Sequence, residues 1–505
     1  MKILLTRKQT QKGDFVSQIK AADAYTIAHE PIASIDLMER AARAFVNDIS
    51  QRFPVGSKKV VVLCGLGDNG GDGLAIARML DKVGYEVEVF VIDYAQKSSD
   101  NFRINEHRLQ NLVPVKYVTD EKGIPAFKQD FLVIDAILGA GLSRPINGLI
   151  QATVEELNKS KAEIIAVDIP TGLFADSPNK KEDTIVKATY TVSFQLPKLA
   201  FVLPQNAEYV GEWKVVNIGL NEEFINQTET DFVYTDSPTA QKLIKPRNRF
   251  AHKGNFGHAL MMAGSYGMIG AAVMATRACL RSGVGKITIA APKCGYAVLQ
   301  TAIPEAMCLP TEDETYLKTL PDLTLYQAIG IGCGIGNKPE TIRLVEQLLK
   351  HTKAPLVIDA DALNIIASNE KLLNLIPENS VLTPHPKEFE RLIGKKWDND
   401  YEKLQILSVF AIKYKCVVCL KGAFTAVALP DGTIHFNSTG NAGMAKGGSG
   451  DVLTGIILAL LAQGYPASEA AILGVYEHGL AGDRTAQTRG MVSMIATDII
   501  ENIRF

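Results

Sequence analysis

Asn437-Ser-Thr-Gly-Asn-Ala-Gly-Met-Ala-Lys-Gly-Gly-Ser-Gly-Asp451 runs into the apolar stretch Val452–Ala462, which reads as a helix. Closely spaced glycines let backbone amides converge on one point, and the helix dipole adds partial positive charge there. The chemistry favoured is the holding of a phosphoryl group. Asp451, at the first helical positions, has two readings: a capping acid, or a base that takes the proton of a hydroxyl attacking a terminal phosphate. The chain has no Gly-Lys-Ser/Thr run, so this is not a Walker loop.

Three other segments of the same half follow short apolar runs. Lys421-Gly422-Ala423-Phe424-Thr425, after Val417–Leu420, is suited to nucleotide phosphate or adenosine. Thr383-Pro-His385-Pro-Lys-Glu388-Phe389 holds one histidine between two prolines, either a structural hydrogen-bonder or a ligand contact. Asp359-Ala-Asp361 places two acids where a magnesium-nucleotide or a helix start would use them.

The first half carries a different chemistry. Gly65, Gly67 and Gly70 satisfy the three-glycine dinucleotide fingerprint, with Asp93 at the end of the next apolar run and the helical pattern Leu74–Asp81 behind the glycines. Asp68 and Asp72, however, put negative charge where a pyrophosphate needs bare amides, so a dehydrogenase reading is disfavoured. Two further oxygen-rich loops begin at Asp135, with Gly139-Ala140-Gly141-Leu142-Ser143-Arg144-Pro145, and at Asp168, with Ile-Pro-Thr171-Gly172. Each alone is explained as a turn or cap. Together, Asn69, Asp135 and Thr171 offer hard oxygen donors suited to an alkali or alkaline-earth cation and not to zinc.

Positioning these residues requires two α/β units. Residues 1–220 alternate helical stretches with β-rich runs at Lys59–Cys64, Val87–Ile92, Phe131–Ile134, Ile164–Val167 and Tyr190–Phe194. From Gly257 the alternation restarts with His258–Ala263, Lys286–Ala290, Ala328–Ile331, Leu356–Ile358, Val381–Leu382 and Val417–Leu420. Such alternation implies parallel sheets covered by helices, with loops at the carboxyl ends of strands forming the ligand sites. The polar, proline-containing stretch between Asn221 and Phe250 marks the boundary, so domains are expected at 1–225 and 236–505. A length of 505 residues, at roughly 150 per domain, agrees with more than one core.

Composition narrows the function further. Net charge is −2, which supplies no field for nucleic acid or anionic membrane. The run Ile3-Leu4-Leu5 is too brief for a signal peptide, and Val452–Ala462 is too short to cross a bilayer. Seven scattered cysteines suit free thiols in a reducing compartment, hence the cytoplasm, and Cys416-Val-Val-Cys419 reads as strand rather than as a metal or redox pair. A homo-oligomer is expected on general grounds.

The motifs Ser34–Ala42, Gly65–Gly73, Asp135 with Gly139–Leu142, and Asp168–Gly172 resemble, in order, the NAD(P)H-hydrate epimerase domain. That resemblance implies a Rossmann-like three-layer fold with a hydrate site at Asp68, Asn69, Gly70, Gly71, Asp72, Gly139, Ala140, Gly141, Leu142, Ser143, Arg144 and Pro145. It also implies potassium at Asn69, Asp135 and Thr171, and substrate contact by Asp168. Asp68 replaces the family's usual Asn and Thr171 its usual Ser; both keep an oxygen donor.

The second half resembles the ribokinase-like superfamily through Gly448-Ser-Gly450-Asp451. It is closer to its ADP/ATP-dependent NAD(P)H-hydrate dehydratase branch, through His252-Lys-Gly254, Ala263-Gly-Ser265 with Met268 and Gly270-Ala-Ala272, Asp359-Ala-Asp361, Thr383–Pro386 with Glu388, and Gly440–Asp451. The resemblance implies hydrate contacts from Ala271, Gly334, His385 and Asp451, and nucleotide binding by Lys421, Gly422, Ala423, Phe424, Thr425 and Gly450. Cys333 replaces the family's usual proline.

The expected function is therefore repair of hydrated NADH and NADPH (NADHX and NADPHX). The first half would interconvert R and S hydrates with potassium, and Asp168 would support proton transfer. The second would dehydrate the S hydrate with ADP or ATP and magnesium, and Asp451 would act as base. The alternative is a ribokinase-like small-molecule kinase, of the vitamin-precursor type, with a non-catalytic ligand-binding or scaffold first domain.

Overall fold

The computed structural model describes residues 15–505, so the stretch Met1–Asp14 read against a signal peptide lies outside the described residues. These residues fall into two compact units: those up to Phe232 with Asn399–Tyr401, and Val233–Asp398 with Glu402–Phe505.

The first unit holds seven strands: β1 Lys59–Cys64, β2 Val87–Ile92, β3 Val115–Val118, β4 Phe131–Ala136, β5 Glu163–Val167, β6 Tyr190–Phe194 and β7 Glu212–Val216. They pair in the order β3-β2-β1-β4-β5-β6-β7, every pair parallel. Both faces are covered, as continuous Val/Ile runs demand. Val61, Leu63 and Val133 pack with Ile150, Val154 and Leu157 of the helix Gly148–Lys159. Residues of opposite parity face the helix Asp68–Lys82: a Cβ at Gly73 would come within 2.8 Å of Cys64 Sγ and 2.6 Å of Ala136 Cβ. The three-layer α/β reading of this half is thus the observed one. β3 and β7, which the sequence reading passes over, are the sheet's edges; Lys116, Tyr117, Glu212 and Lys214 are exposed there, so neither strand reads as an apolar run.

One local expectation changes. The helix behind β1 begins at Asp68, with Gly67 as its N-cap, not at Leu74. Gly70 and Gly71 belong to its first turns and are small because of packing: a Cβ at Gly70 would lie 1.8 Å from the Gly65 carbonyl oxygen.

The second unit has ten strands: β8 Phe232–Thr235, β9 His258–Met262, β10 Lys286–Ala291, β11 Met307–Pro310, β12 Ala328–Ile331, β13 Leu356–Ile358, β14 Val381–Leu382, β15 Val417–Leu420, β16 Ala426–Ala428 and β17 Ile434–Asn437. Their order is β11-β10-β9-β12-β13-β14-β15-β16-β17-β8. The β11 to β15 portion is parallel, and β16 and β17 add as antiparallel strands. Met261, Ile289, Val357 and Cys419 join a core with Ile456 and Ala459 of the helix Ser449–Ala462, while Leu260, Met262 and Ile329 on the other face are equally buried. That helix crosses the helix Ile269–Arg281 closely, since a Cβ at Gly455 would meet the Ala275 carbonyl oxygen at 2.1 Å. β8, β11, β16 and β17 were not anticipated from sequence.

The strand order reverses between β1 and β4 in the first sheet and, within the parallel portion of the second, between β9 and β12. Ligand crevices of doubly wound sheets open at such points. All seven cysteines are free, and Cys419 lies within β15 as the strand reading requires. No described helix is long and apolar enough to cross a membrane.

Candidate functional sites

In the first unit the loops after β1, β4 and β5 meet a cavity of about 210 Å³. Of the expected residues, Asp68, Asp72, Ala140 and Asp168 line it. Gly70 and Gly71 are buried in helix packing, Gly139 backs onto Asn69, Leu142 is half-buried, and Gly141, Ser143, Arg144 and Pro145 are exposed. Asp23, Asn101 and Lys198 also line the cavity and were missed. Lys198 could have been found, because Gln195-Leu-Pro-Lys198 leaves the carboxyl end of β6. Asp23 carries no such signal; it reaches the cavity with Ile19 and Ile27 from one face of the helix Phe15–His29.

Four carboxylates around one small space are costly to ionise together. Burial, with Asp168 and Asp68 adding to it and Lys198 opposing, pushes the Asp23 carboxyl up to about 6. Burial also holds Asp72 well above the ordinary carboxylate range, reinforced by Asp168, Asp68 and Asp23. Asn101 Nδ2 donates to Asp68 Oδ1 at 3.3 Å and to Ser34 Oγ at 3.1 Å.

The oxygen donors form a neighbouring cluster. Thr171 donates its hydroxyl to Asp135 Oδ1 at 2.7 Å and its amide to Oδ2 at 2.8 Å, and its own oxygen accepts the Leu138 amide at 3.0 Å. Asp135 is fully buried and has no ion-pair partner among the described residues; burial outweighs its hydrogen bonds and raises its carboxyl to about 6. Asn69 ends in a buried Nδ2 without a partner, packed against Gly139, and half a turn of the amide presents its oxygen at that point.

In the second unit a cavity of about 890 Å³ opens beside the start of the helix Ser449–Ala462. Lys421, Gly422, Ala423, Phe424, Thr425, Gly450 and His385 all line it, so the structure gathers the expected nucleotide residues in one place. Lys446 and Ser449, from the loop read as holding a phosphoryl group, line it too, as does His478, which the sequence reading misses. Burial, with Lys421 adding to it, lowers His478 to about 4, so its ring is neutral and faces Ser449 Oγ at 3.2 Å.

Gly448 is the N-cap of that helix, in the left-handed region at φ 91°, and no side chain caps it. Asp451 instead turns toward the Cys333 thiol: one of its carboxylate oxygens, Cys333 Sγ and an Asp359 oxygen all lie within 4.8 Å of one another. Burial raises the Asp451 carboxyl; the Cys333 thiol and Lys421 oppose this, and Asp359 adds to it. Lys421 Nζ reaches Asp359 Oδ1 at 3.0 Å, and Asp361 Oδ2 accepts the Gly336 amide at 2.8 Å. Ala271 and Gly334 meet at the β9/β12 crevice, where a Cβ on Gly334 would lie 3.3 Å from Ala271 Cβ. His385 is a structural hydrogen-bonder, its Nδ1 accepting the Lys387 and Glu388 amides as a helix cap, and its ring is half-exposed at the cavity.

Two doubly wound units, one with an acid-lined cavity and the other with a glycine-rich helix start beside a nucleotide-sized cavity, define a two-site α/β enzyme. Residues 34–200 match the family model described as YjeF-related protein N-terminus, and residues 259–504 that of NAD(P)H-hydrate dehydratase. The chain is 36% identical over 486 residues to the bifunctional NAD(P)H-hydrate repair enzyme Nnr of Moorella thermoacetica, covering 93% of this chain and 92% of that one. It is 34% identical over 502 residues to the protein of the same name from Thermofilum pendens, with 96% and 94% covered. The solved ADP/ATP-dependent NAD(P)H-hydrate dehydratase of Bacillus subtilis is 28% identical, spans 53% of this chain and 94% of its own, and superposes with a TM-score of 0.46. The chain belongs to the family of bifunctional NAD(P)H-hydrate repair enzymes.

Proposed function

We propose that the first domain (1–225) interconverts the R and S hydrates of NADH and NADPH and that the second (236–505) dehydrates the S hydrate with ADP or ATP. Family membership over nearly the whole chain supports both activities. The observation that carries the second is Asp451: an acid in the first turn of a helix that no side chain caps, its carboxylate close to the Cys333 thiol, beside the cavity that Gly450 and Lys421 line.

The hydroxyl of the hydrate is a poor leaving group, and phosphorylation makes it a good one. Asp451 takes the hydroxyl proton as the oxygen attacks the terminal phosphorus, and the shortened nucleotide leaves. Amides of Gly448–Gly450 stabilise the transferring phosphoryl group. The ring-nitrogen lone pair then expels phosphate with its C–O electron pair, and loss of the adjacent ring proton restores the dihydronicotinamide. Magnesium arriving with the nucleotide would neutralise phosphate charge; Asp361, at the carboxyl end of β13, would offer an oxygen ligand of the kind it prefers, whereas both oxygens of Asp359 are taken by Lys421 and Thr454.

In the first domain the buried Asp135, lacking a cationic partner, fits potassium together with Asn69 and Thr171. Potassium would supply fixed positive charge beside the substrate, while Asp168 exchanges the substrate's proton. Seven free thiols fit a cytoplasmic setting, and near-neutral charge gives no reason to expect nucleic-acid or membrane partners. A homo-oligomer is the expected state, to be checked by light scattering.

The test is Asp451→Asn supplied with S hydrate and ADP or ATP. Recovery of NADH absorbance should fall by at least 100-fold while R/S exchange, followed by NMR, continues. Joint loss of both activities would overturn the separation of sites, and a stable phosphorylated product from the unaltered enzyme would mark a small-molecule kinase instead.

A further inference from the structure

Lys198, a cation 2% exposed, lines the acid-lined cavity, and the epimerase motifs leave it without a role. Its ammonium grips Asp168 Oδ1 and donates to Ser193 Oγ at 2.6 Å; the Ser193 hydroxyl in turn donates to the Leu196 carbonyl at 3.2 Å. The serine proton is thereby committed away from Lys198, and the ammonium has a fixed direction. A buried ammonium is retained only when such partners offset its desolvation.

Asp168 itself is held unusually. It lies at φ 67°, in the left-handed region that residues with a Cβ rarely adopt and that costs about 1 kcal/mol or more. Its amide donates to the Val192 carbonyl at 2.8 Å, and Oδ1 accepts the Phe194 amide at 3.0 Å in addition to Lys198. Among the described residues nothing hydrogen-bonds Oδ2, and the residue lines the cavity. One oxygen is therefore anchored and the other is available. The remaining charged groups facing this space are Asp23 from the helix Phe15–His29 and Asp68 and Asp72 from the helix Asp68–Lys82, so Lys198 is the only cation lining the cavity among the described residues.

We propose that Lys198 is a positioning residue for epimerisation, clamping one oxygen of Asp168 so that the other is aimed at the hydrate's hydroxyl. The inference rests on the epimerase reading above. Asp168 Oδ2 accepts the hydroxyl proton; the C–O bond becomes a carbonyl as the bond from that carbon to the ring nitrogen breaks. The electron pair moves onto nitrogen, conjugated through the ring double bond to the carboxamide. Rotation exposes the other face, nitrogen re-adds, and Asp168 returns the proton to oxygen. Atoms and charge balance with no co-reactant. Lys198 acts through Asp168 throughout, because displacement of a catalytic group by about 1 Å can cost on the order of 100-fold.

The experiment is R/S exchange by NMR in the full-length enzyme, with Lys198→Met, Asp168→Asn and the double variant. Lys198→Met is expected to lower kcat by about 100-fold with KM changed less than about threefold, and the double variant to be no slower than Asp168→Asn alone. Ser193→Ala keeps the charge and loosens one anchor, so a drop of about threefold to tenfold in kcat is expected; it decides the matter should Lys198→Met fail to fold. Losses that multiply in the double variant, a raised KM at unchanged kcat, or full activity of Ser193→Ala and Lys198→Met overturn the proposal. Absence of exchange in the unaltered enzyme overturns the epimerase reading instead, and the clamp with it.

Discussion

The Lys421 ammonium lies 3.0 Å from Asp359 Oδ1, joining the loop after β15 to the loop after β13 across an intervening strand. Asp359 is 2% exposed, and its second oxygen accepts the Thr454 hydroxyl at 2.8 Å. Removing the cation leaves a buried carboxylate with a single neutral partner. Lys421→Met should destabilise the second unit by about 2–3 kcal/mol in urea unfolding and raise the nucleotide KM more than about tenfold. An unchanged midpoint would show the pair to be solvated.

Gly450 separates that ion pair from the helix start. A Cβ there would lie 3.4 Å from Lys421 Nζ and 3.6 Å from Asp359 Oδ2, ordinary contact distances that the fold can accept. Gly450→Ala gains helix propensity worth about 0.5–1 kcal/mol, so thermal melting should hold or rise. The added methyl occupies the phosphate approach, and nucleotide-dependent NADH recovery should fall at least tenfold. Stability and activity moving together would contradict this.

Thr171 is both the hydroxyl partner of Asp135 and a donor to the proposed cation. Thr171→Val removes that oxygen while nearly preserving volume. Stimulation of R/S exchange by KCl over choline chloride should disappear, with a loss of about 1–2 kcal/mol from the broken buried hydrogen bond. Retained potassium dependence would place the cation elsewhere.

Asp23 supplies a pH signature of stability. Its carboxyl is raised from 3.8 to about 6, so the folded state binds this proton more tightly than the unfolded state. The associated stability is full below about pH 4 and is lost as pH rises through 6. Asp23→Asn should therefore melt higher than the parent at pH 8, by about 1 kcal/mol after allowing for partial solvation, and identically near pH 3.5. A melting difference independent of pH would exclude burial of charge as its cause.

Much of the architecture is legible in the chain itself. Lys59–Cys64, Val87–Ile92 and Tyr190–Phe194 form strands over the residues the sequence reading assigns them, because an apolar run buried on both sheet faces is a local property. The loops bearing Asp68, Asp135, Asp168, Asp359, Lys421 and Asp451 follow from the same alternation, since each ends a strand or opens the next helix. Edge strands such as β3 and β7 are hidden because half of their residues face water, and their stability comes from the neighbour they pair with.

Composition and periodicity thus determined two α/β units built on parallel strands and which loops carry chemistry, but not the antiparallel strands β16 and β17 that extend the second sheet. Only the tertiary structure decided which charges meet: Lys198 with Asp168, thirty residues apart; Lys421 with Asp359, sixty-two apart; Asp23 with a cavity whose other walls come from later in the chain. Hydrophobic periodicity is read along the chain, whereas Coulomb and desolvation energies depend on distances through space. Those distances are set when strands reverse their order and helices close over them.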